Sequence, residues 1–238
     1  MLFEVENLQK IYGANDGVKT PALQGVSLKI DSGEFVSIMG PSGSGKSTLM
    51  HIMCFLDRPT YGQCRFEERS IDDFSDDELA RIRNKKMGFV FQSYNLLSRT
   101  NVFDNVRLPL VYTGFSKEKE NEMVEQALKS VDIFHRAFYF PNQLSGGEQQ
   151  KTAIARAIVN HPSVVFADEP TGNLDSKSGQ QIMNIFQKLN NQGHTIILVT
   201  HEKYTAEMAK RIISLKDGKI VNDELVNSRH YAQDGLIK

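Results

Sequence analysis

Between Gly40 and Thr48 the chain reads Gly-Pro-Ser-Gly-Ser-Gly-Lys-Ser-Thr, a glycine-rich turn closed by a lysine and two hydroxyls. Consecutive backbone N–H groups can surround a polyphosphate only where side chains do not intrude. Gly40, Gly43 and Gly45 meet that need, with Pro41, Ser42 and Ser44 completing the turn. Lys46 is then placed to neutralise β- and γ-phosphates, and the Ser47 hydroxyl to ligate Mg²⁺. Thr48 ends the run just before a helix-like stretch, whose free N-terminal amides would add the positive end of a dipole. The run matches G-x-x-x-x-G-K-[ST], the pattern of a nucleotide phosphate cradle. The guanine-specifying pattern Asn-Lys-x-Asp is absent from the chain, which disfavours GTP. Farther on, Val164-Val-Phe-Ala-Asp168-Glu169 is an apolar run ending in two carboxylates. At the carboxyl end of a parallel strand both would face the phosphates, Asp168 to hold Mg²⁺ through water and Glu169 to polarise the attacking water as general base. Ser145-Gly146-Gly147-Glu148 has capping-box spacing and opens a helix whose free N–H groups form a second anion site. Two arrangements fit a second site: two nucleotides per chain, or a site that serves the nucleotide of another copy.

These residues need elements to position them. Phe35–Met39 runs directly into Gly40, and Leu49–Met53 follows the cradle as a helical pattern. Phe35–Met39, Ser163–Ala167 and Thr195–Val199 are nearly continuous apolar runs, as parallel strands buried on both faces require. Val26, Leu28 and Ile30 alternate with polar neighbours, and together with Leu2–Val5 they predict an antiparallel sheet with one wet face. Ser75-Asp-Asp-Glu78 caps a second helix, and a third is predicted from Ser116 to Val131 with Met123, Val124, Ala127, Leu128 and Val131 on one side. Asp217-Gly218 between two apolar runs predicts a two-residue hairpin. Strand and helix alternate at both ends of the chain, while about 92–162 is mostly helical, which predicts an α/β core carrying a helical insertion.

The 238 residues suit one large domain, and 40% hydrophobic with 24% charged residues is ordinary globular composition. Lys and Arg number 28 against 29 Asp and Glu, so a net charge of -1 gives no field to draw nucleic acid or anionic lipid. No uncharged apolar run approaches the ~18 residues a membrane helix needs, and the N-terminus lacks the pattern of a signal peptide. A cytosolic chain is expected, reaching a membrane only through a partner. Cys54 and Cys64 are expected to be buried, reduced thiols, and the six histidines show no metal spacing.

Leu144-Ser-Gly-Gly-Glu-Gln-Gln-Lys151 resembles the signature motif of ABC ATPases, and the resemblance spans nearly the whole chain, from about Leu2 to Val221. It implies a P-loop NTPase fold of the α/β class: a RecA-like parallel core sheet, an N-terminal antiparallel β layer and an inserted α-helical subdomain. Residues 1–91 and 163–222 would form the catalytic core with its β layer, residues 92–162 the helical subdomain, and 223–238 a tail without a motif. Between the two arrangements of the second anion site, the resemblance implies the intermolecular one. Two subunits would lie head to tail around two molecules of ATP with Mg²⁺.

Other positions then match the family residue by residue. Gln92 resembles the Q-loop glutamine that senses Mg²⁺ or the lytic water. His201 resembles the switch histidine that contacts the γ-phosphate, and Asp175 the D-loop aspartate that crosses the dimer interface. Tyr12 stands where the family stacks an aromatic ring on adenine, an interaction worth ~1–3 kcal/mol. Each active site would combine Lys46, Ser47, Gln92, Asp168, Glu169 and His201 of one chain with Ser145 and Gly147 of the other.

The segments Ala167–Asp175, Gly13–Pro21 and Phe91–Leu97 are most similar to the ATPases of lipoprotein release, macrolide or antimicrobial peptide export, and cell division. That resemblance implies an ATP hydrolase driving a separate polytopic permease, which would dock around Gln92–Tyr112. The chain would sit peripherally on the cytoplasmic face of the membrane, with neither direct insertion nor a nucleic-acid partner. Two other readings remain: a soluble ABC-type ATPase of DNA repair or translation, and a non-transporting regulator of a cell-envelope enzyme. The former usually carries coiled-coil insertions, zinc cysteine pairs or two cassettes per chain; the latter is the same ATPase with a different partner. Lys151 replaces the arginine more usual after the signature, keeping the charge and losing the planar fork.

Overall fold

The computed structural model describes residues 1–13 and 19–232. In chain order come β1 (Phe3–Tyr12), β2 (Thr20–Ile30), β3 (Phe35–Met39), α1 (Lys46–Met53), β4 (Tyr61–Phe66), β5 (Arg69–Ser70), α2 (Asp76–Lys86) and β6 (Met87–Val90). A helical stretch follows, with α3 (Val102–Arg107), α4 (Lys117–Ser130) and α5 (Gly146–Ile158). The chain then returns to alternation with β7 (Val164–Asp168), α6 (Ser176–Asn191), β8 (Thr195–Thr200), α7 (Lys203–Ala206), β9 (Arg211–Lys216) and β10 (Lys219–Leu225).

One sheet has the order β10-β9-β3-β8-β7-β6, parallel from β9 to β6, with β10 antiparallel at its edge. The other, β2-β1-β4-β5, is antiparallel throughout. Burial on both faces explains the continuous apolar runs of the parallel strands. Val165 and Ala167 of β7 join Ile196 and Leu198 of β8 in a cluster with α4, α5 and α6. Their neighbours Val164, Phe166, Ile197 and Val199 pack instead with α1 and the antiparallel sheet. With no wet face, polar alternation has no place in these strands.

In β2 the expected wet face is present, since Val26, Leu28 and Ile30 are buried between exposed neighbours. Phe3 of β1 joins the layers, its ring centroid 5.0 Å from Phe66 and 5.9 Å from Phe166. Strand β4 carries no clear period in its sequence, because of its six residues only Cys64 and Phe66 are buried. Capping boxes open α2 at Ser75 and α5 at Ser145, and Ser116 caps α4. Met123, Val124, Ala127 and Leu128 are the buried side of α4. The β9–β10 turn places Asp217 and Gly218 at φ 49° and 75°, the paired left-handed conformation of a two-residue hairpin.

Residues 222–232 have more structure than their lack of a motif suggests. Strand β10 continues to Leu225, and the segment after it returns across α6. Gln187 donates to the His230 carbonyl at 2.8 Å and accepts from the Ala232 amide at 3.0 Å, while the His230 ring stacks on Tyr204 at 4.6 Å. Cys54 and Cys64 are buried and unbridged, and burial pushes the Cys64 thiol up to about 12. No helix among the described residues is long and apolar enough to cross a membrane.

Candidate active site

The glycine-rich turn joins the end of β3 to α1; close contacts fix Gly40 and Gly45, and a φ of 79° favours glycine at Gly43. A Cβ on Gly40 would lie 2.2 Å from the Leu215 carbonyl oxygen; one on Gly45, at φ 100°, would lie 2.5 Å from that of Ala22. Lys46 folds over the turn, donating to the carbonyls of Gly40 at 2.8 Å and Pro41 at 2.9 Å. The Ser44 hydroxyl is buried without a hydrogen-bond partner among the described residues. An orphaned hydroxyl, a sequestered ammonium and a turn too tight for side chains fit a phosphate chain.

Asp168 ends β7, where burial, and after it the neighbouring Glu169, raises its carboxyl pKa, while His51 and Lys46 oppose the rise. Among the described residues no three metal-ligating side chains cluster. Ser47 in the first turn of α1 and Asp168 at the end of β7 offer one hydroxyl and one carboxylate, oxygen donors of the kind that suit Mg²⁺. The raised pKa makes a stability prediction. A carboxyl whose folded-state pKa lies above its unfolded value favours folding at acid pH and loses that contribution as pH rises through the folded value. At neutral pH the charged Asp168 is thus a burden, and nucleotide-free Asp168→Asn should melt about 2–4 °C higher than the parent chain. Scanning calorimetry at pH 7 checks this; a lower melting temperature would show that the carboxylate is stabilised where it sits.

Glu169 has φ 45°, a left-handed conformation that turns its side chain out of the strand direction, while its amide donates to Val199 at 2.9 Å. Its carboxylate accepts from the Thr200 hydroxyl at 3.2 Å and lies 2.7 Å from His201 Nδ1. The ends of β7 and β8 thus bring Glu169 and His201 into direct contact. Thr200 escaped the sequence analysis, and its position beside His201 is the signal that could have found it.

Gln92 donates to the Asn173 side chain at 3.3 Å, and Asn173 returns a bond to the Gln92 carbonyl at 3.1 Å. Asp175 caps α6, accepting from the amides of Lys177 and Ser178 and from the Ser178 hydroxyl at 2.6 Å. Those bonds, the Ser178 hydroxyl first, hold its carboxyl below the ordinary range. The capping box at Ser145 is closed by Glu148, which Arg136 pins at 2.9 Å. A Cβ on Gly146 would lie 2.9 Å from the Tyr94 hydroxyl, and one on Gly147 would lie 3.2 Å from Ser178. The Ser145 end therefore sits among Tyr94, Leu174 and Ser178, and the phosphate turn among Ala22, Leu23, Leu215 and Gly218.

Tyr12 ends β1, half-exposed, with its hydroxyl donating to Asp57 at 2.8 Å and Lys10 Nζ 4.9 Å from the ring centroid. Burial, then Asp57, raises its pKa, with the Thr48 hydroxyl acting the other way. Within Gly13–Pro21, residues 14–18 lie outside the described residues. Lys151 reaches the Asp132 carboxylate at 3.9 Å. Beside the Gln92 segment lies an open groove of about 910 Å³, lined among others by Arg81, Asn84, Phe89, Pro109, Tyr112 and Arg156.

A parallel sheet whose strand ends gather a phosphate turn, two carboxylates and a histidine defines a nucleotide-binding α/β fold of the phosphate-loop class. Residues 23–172 match the family model of the ABC transporter domain. The chain belongs to this ABC transporter family. It is 48% identical over 94% of its length to the macrolide export ATP-binding/permease protein MacB of Bdellovibrio bacteriovorus, and spans 34% of that relative. It is also 48% identical to the ABC transporter ATP-binding protein YknY of Bacillus subtilis, over 92% of this chain and 95% of the other. Among solved structures, the dimeric ATP-binding cassette MJ0796 in a post-hydrolysis state bound to ADP and Pi superposes with a TM-score of 0.86. It shares 43% sequence identity, over 95% of this chain and 100% of that one.

Proposed function

We propose that this chain is the ATP-hydrolysing subunit of a membrane exporter, closing with a second copy around two molecules of ATP. The observation that carries this is the separation of the two anion-binding ends, the phosphate turn packing against β2 and the β9–β10 turn, the Ser145 end against Tyr94 and Ser178. One nucleotide held by the first is completed by the Ser145 and Gly147 end of the other copy, with Gly146 behind it. The dimeric state of the MJ0796 cassette supports the same arrangement.

Within one copy, the amides of Gly40, Ser42, Gly43 and Ser44 with Gly45 and Lys46 bind the phosphates, Pro41 shapes the turn without an N–H of its own, Ser47 and Thr48 open α1 beneath them, and Tyr12 stacks on the base. Mg²⁺, when bound, neutralises phosphate charge in the transition state. Ser47, Asp168 and Gln92 would hold it. Glu169 takes the proton of the lytic water, and His201, 2.7 Å from that carboxylate, orients it and donates toward the γ-phosphate. Asp175, at the start of α6, lies at the seam between the copies.

The MacB relatives join ATP-binding and permease functions in one protein, of which this chain spans about a third. A permease outside the residues described here fits the groove beside Gln92, within reach of the Gln92–Tyr112 segment. The chain then works peripherally at the cytoplasmic face of the membrane, and the cargo is a lipoprotein, a peptide or a drug. Purifying tagged Glu169→Gln protein from detergent-solubilised membranes with ATP and Mg²⁺ tests the reading. A polytopic protein with a large extracytoplasmic domain should copurify; recovery of soluble protein or nucleic acid alone would move the assignment to a repair or translation ATPase.

A further inference from the structure

After Gln92 the backbone takes a conformation that its own residues do not favour. Tyr94 and Asn95 are consecutive non-glycine residues in the left-handed region, at φ 61° and 50°. Such residues are strained unless their surroundings hold them, tyrosine more so than asparagine. Arg156, in the last turn of α5 and more than sixty positions away, holds both. Its Nη1 donates to the Asn95 carbonyl at 2.6 Å and its Nη2 to the Tyr94 carbonyl at 2.8 Å. A planar guanidinium can span two adjacent carbonyls in a fixed fork, which a point-like ammonium cannot do. No carboxylate among the described residues pairs with Arg156, so these two carbonyls are what offsets its burial.

The turn so held touches both halves of the composite site. On one side Gln92 and Asn173 exchange two hydrogen bonds. On the other, the Tyr94 hydroxyl stands against Gly146, close enough that a single methyl there would meet it at 2.9 Å. Phe91, Asn95 and Arg156 also line the 910 Å³ groove. A segment seated in the groove would therefore touch the clamp itself.

We propose that Arg156 is a positioning residue for ATP turnover: its fork fixes the Tyr94–Asn95 turn, which sets Gln92 and the Gly146 end of α5 together. This rests on the composite-site reading above. The test compares the parent chain with Arg156→Lys, Arg156→Ala and the double variant Arg156→Ala/Asn95→Gly. Steady-state kinetics, binding of a fluorescent ATP analogue and amide hydrogen exchange at residues 93–97 are the readouts.

Nucleotide affinity should stay within about twofold of the parent, because the phosphate turn lies elsewhere, while kcat falls about tenfold in Arg156→Ala and less in Arg156→Lys. Exchange at 93–97 should quicken in both single variants. Adding Asn95→Gly should recover part of the lost kcat, since glycine adopts φ 50° without strain; a residue that merely supported the fold would show no such rescue. Should Arg156→Ala not fold, Arg156→Lys and its exchange pattern decide. Unchanged kcat and unchanged exchange in a folded Arg156 variant overturn the proposal. Absence of turnover in the parent chain counts instead against the ATPase reading, and the exchange data still show whether Arg156 is the clamp.

Discussion

Glu169→Gln should bind ATP as the parent chain does and hydrolyse it at least about a hundredfold more slowly, the usual contribution of a general base. The substitution is nearly isosteric, so the contacts at 3.2 Å to Thr200 and 2.7 Å to His201 have an amide to meet in place of a carboxylate. What disappears is the ability to take a proton from water. It also removes the negative charge that helps raise the Asp168 pKa. Binding without turnover leaves the two copies closed, so the variant should elute as a dimer in ATP and Mg²⁺ and as a monomer without them. Single-turnover kinetics with size-exclusion chromatography check both halves. Near-normal hydrolysis would remove Glu169 as the base and leave His201, 2.7 Å away, as the group to examine.

Phosphate turn, acidic strand end and capped Ser145 helix were legible in the sequence because each is a local pattern. A turn that must exclude side chains shows its glycines, a strand buried on both faces shows an unbroken apolar run, and a capping box shows Ser145 and Glu148 three residues apart. Contacts across the chain leave no such mark. Arg156 bonds a residue 62 positions away, Gln92 pairs with Asn173 81 positions away, and Asp57 meets Tyr12 across 45. Each of these side chains reads in isolation as an ordinary surface polar group. Strand β4 was hidden for a different reason: half its length is exposed, and Gly62, at φ 86°, breaks the period where it approaches Asn7. Burial of Ala232 likewise depends on Gln187 in a helix 45 residues earlier.

The second large effect separates the two ways of using the Ser145 end. Ser145→Arg places a long cation where a nucleotide phosphate of the other copy would sit, and it also removes the cap of α5, a loss of about 1 kcal/mol that the fold can tolerate. Alone it should hydrolyse almost no ATP, as should Glu169→Gln. Mixed in equal amounts they should recover activity. In a head-to-tail pair, one site of the mixed dimer joins both substitutions, and the other joins an intact Glu169 with an intact Ser145. Random pairing makes half the dimers mixed, each with one intact site of two, so the mixture should reach about a quarter of the parent rate. If the Ser145 end served the nucleotide of its own chain, every site in the mixture would carry one substitution, and mixing would restore nothing. Gain of activity is the stringent outcome, because two damaged proteins can produce it only by sharing a site.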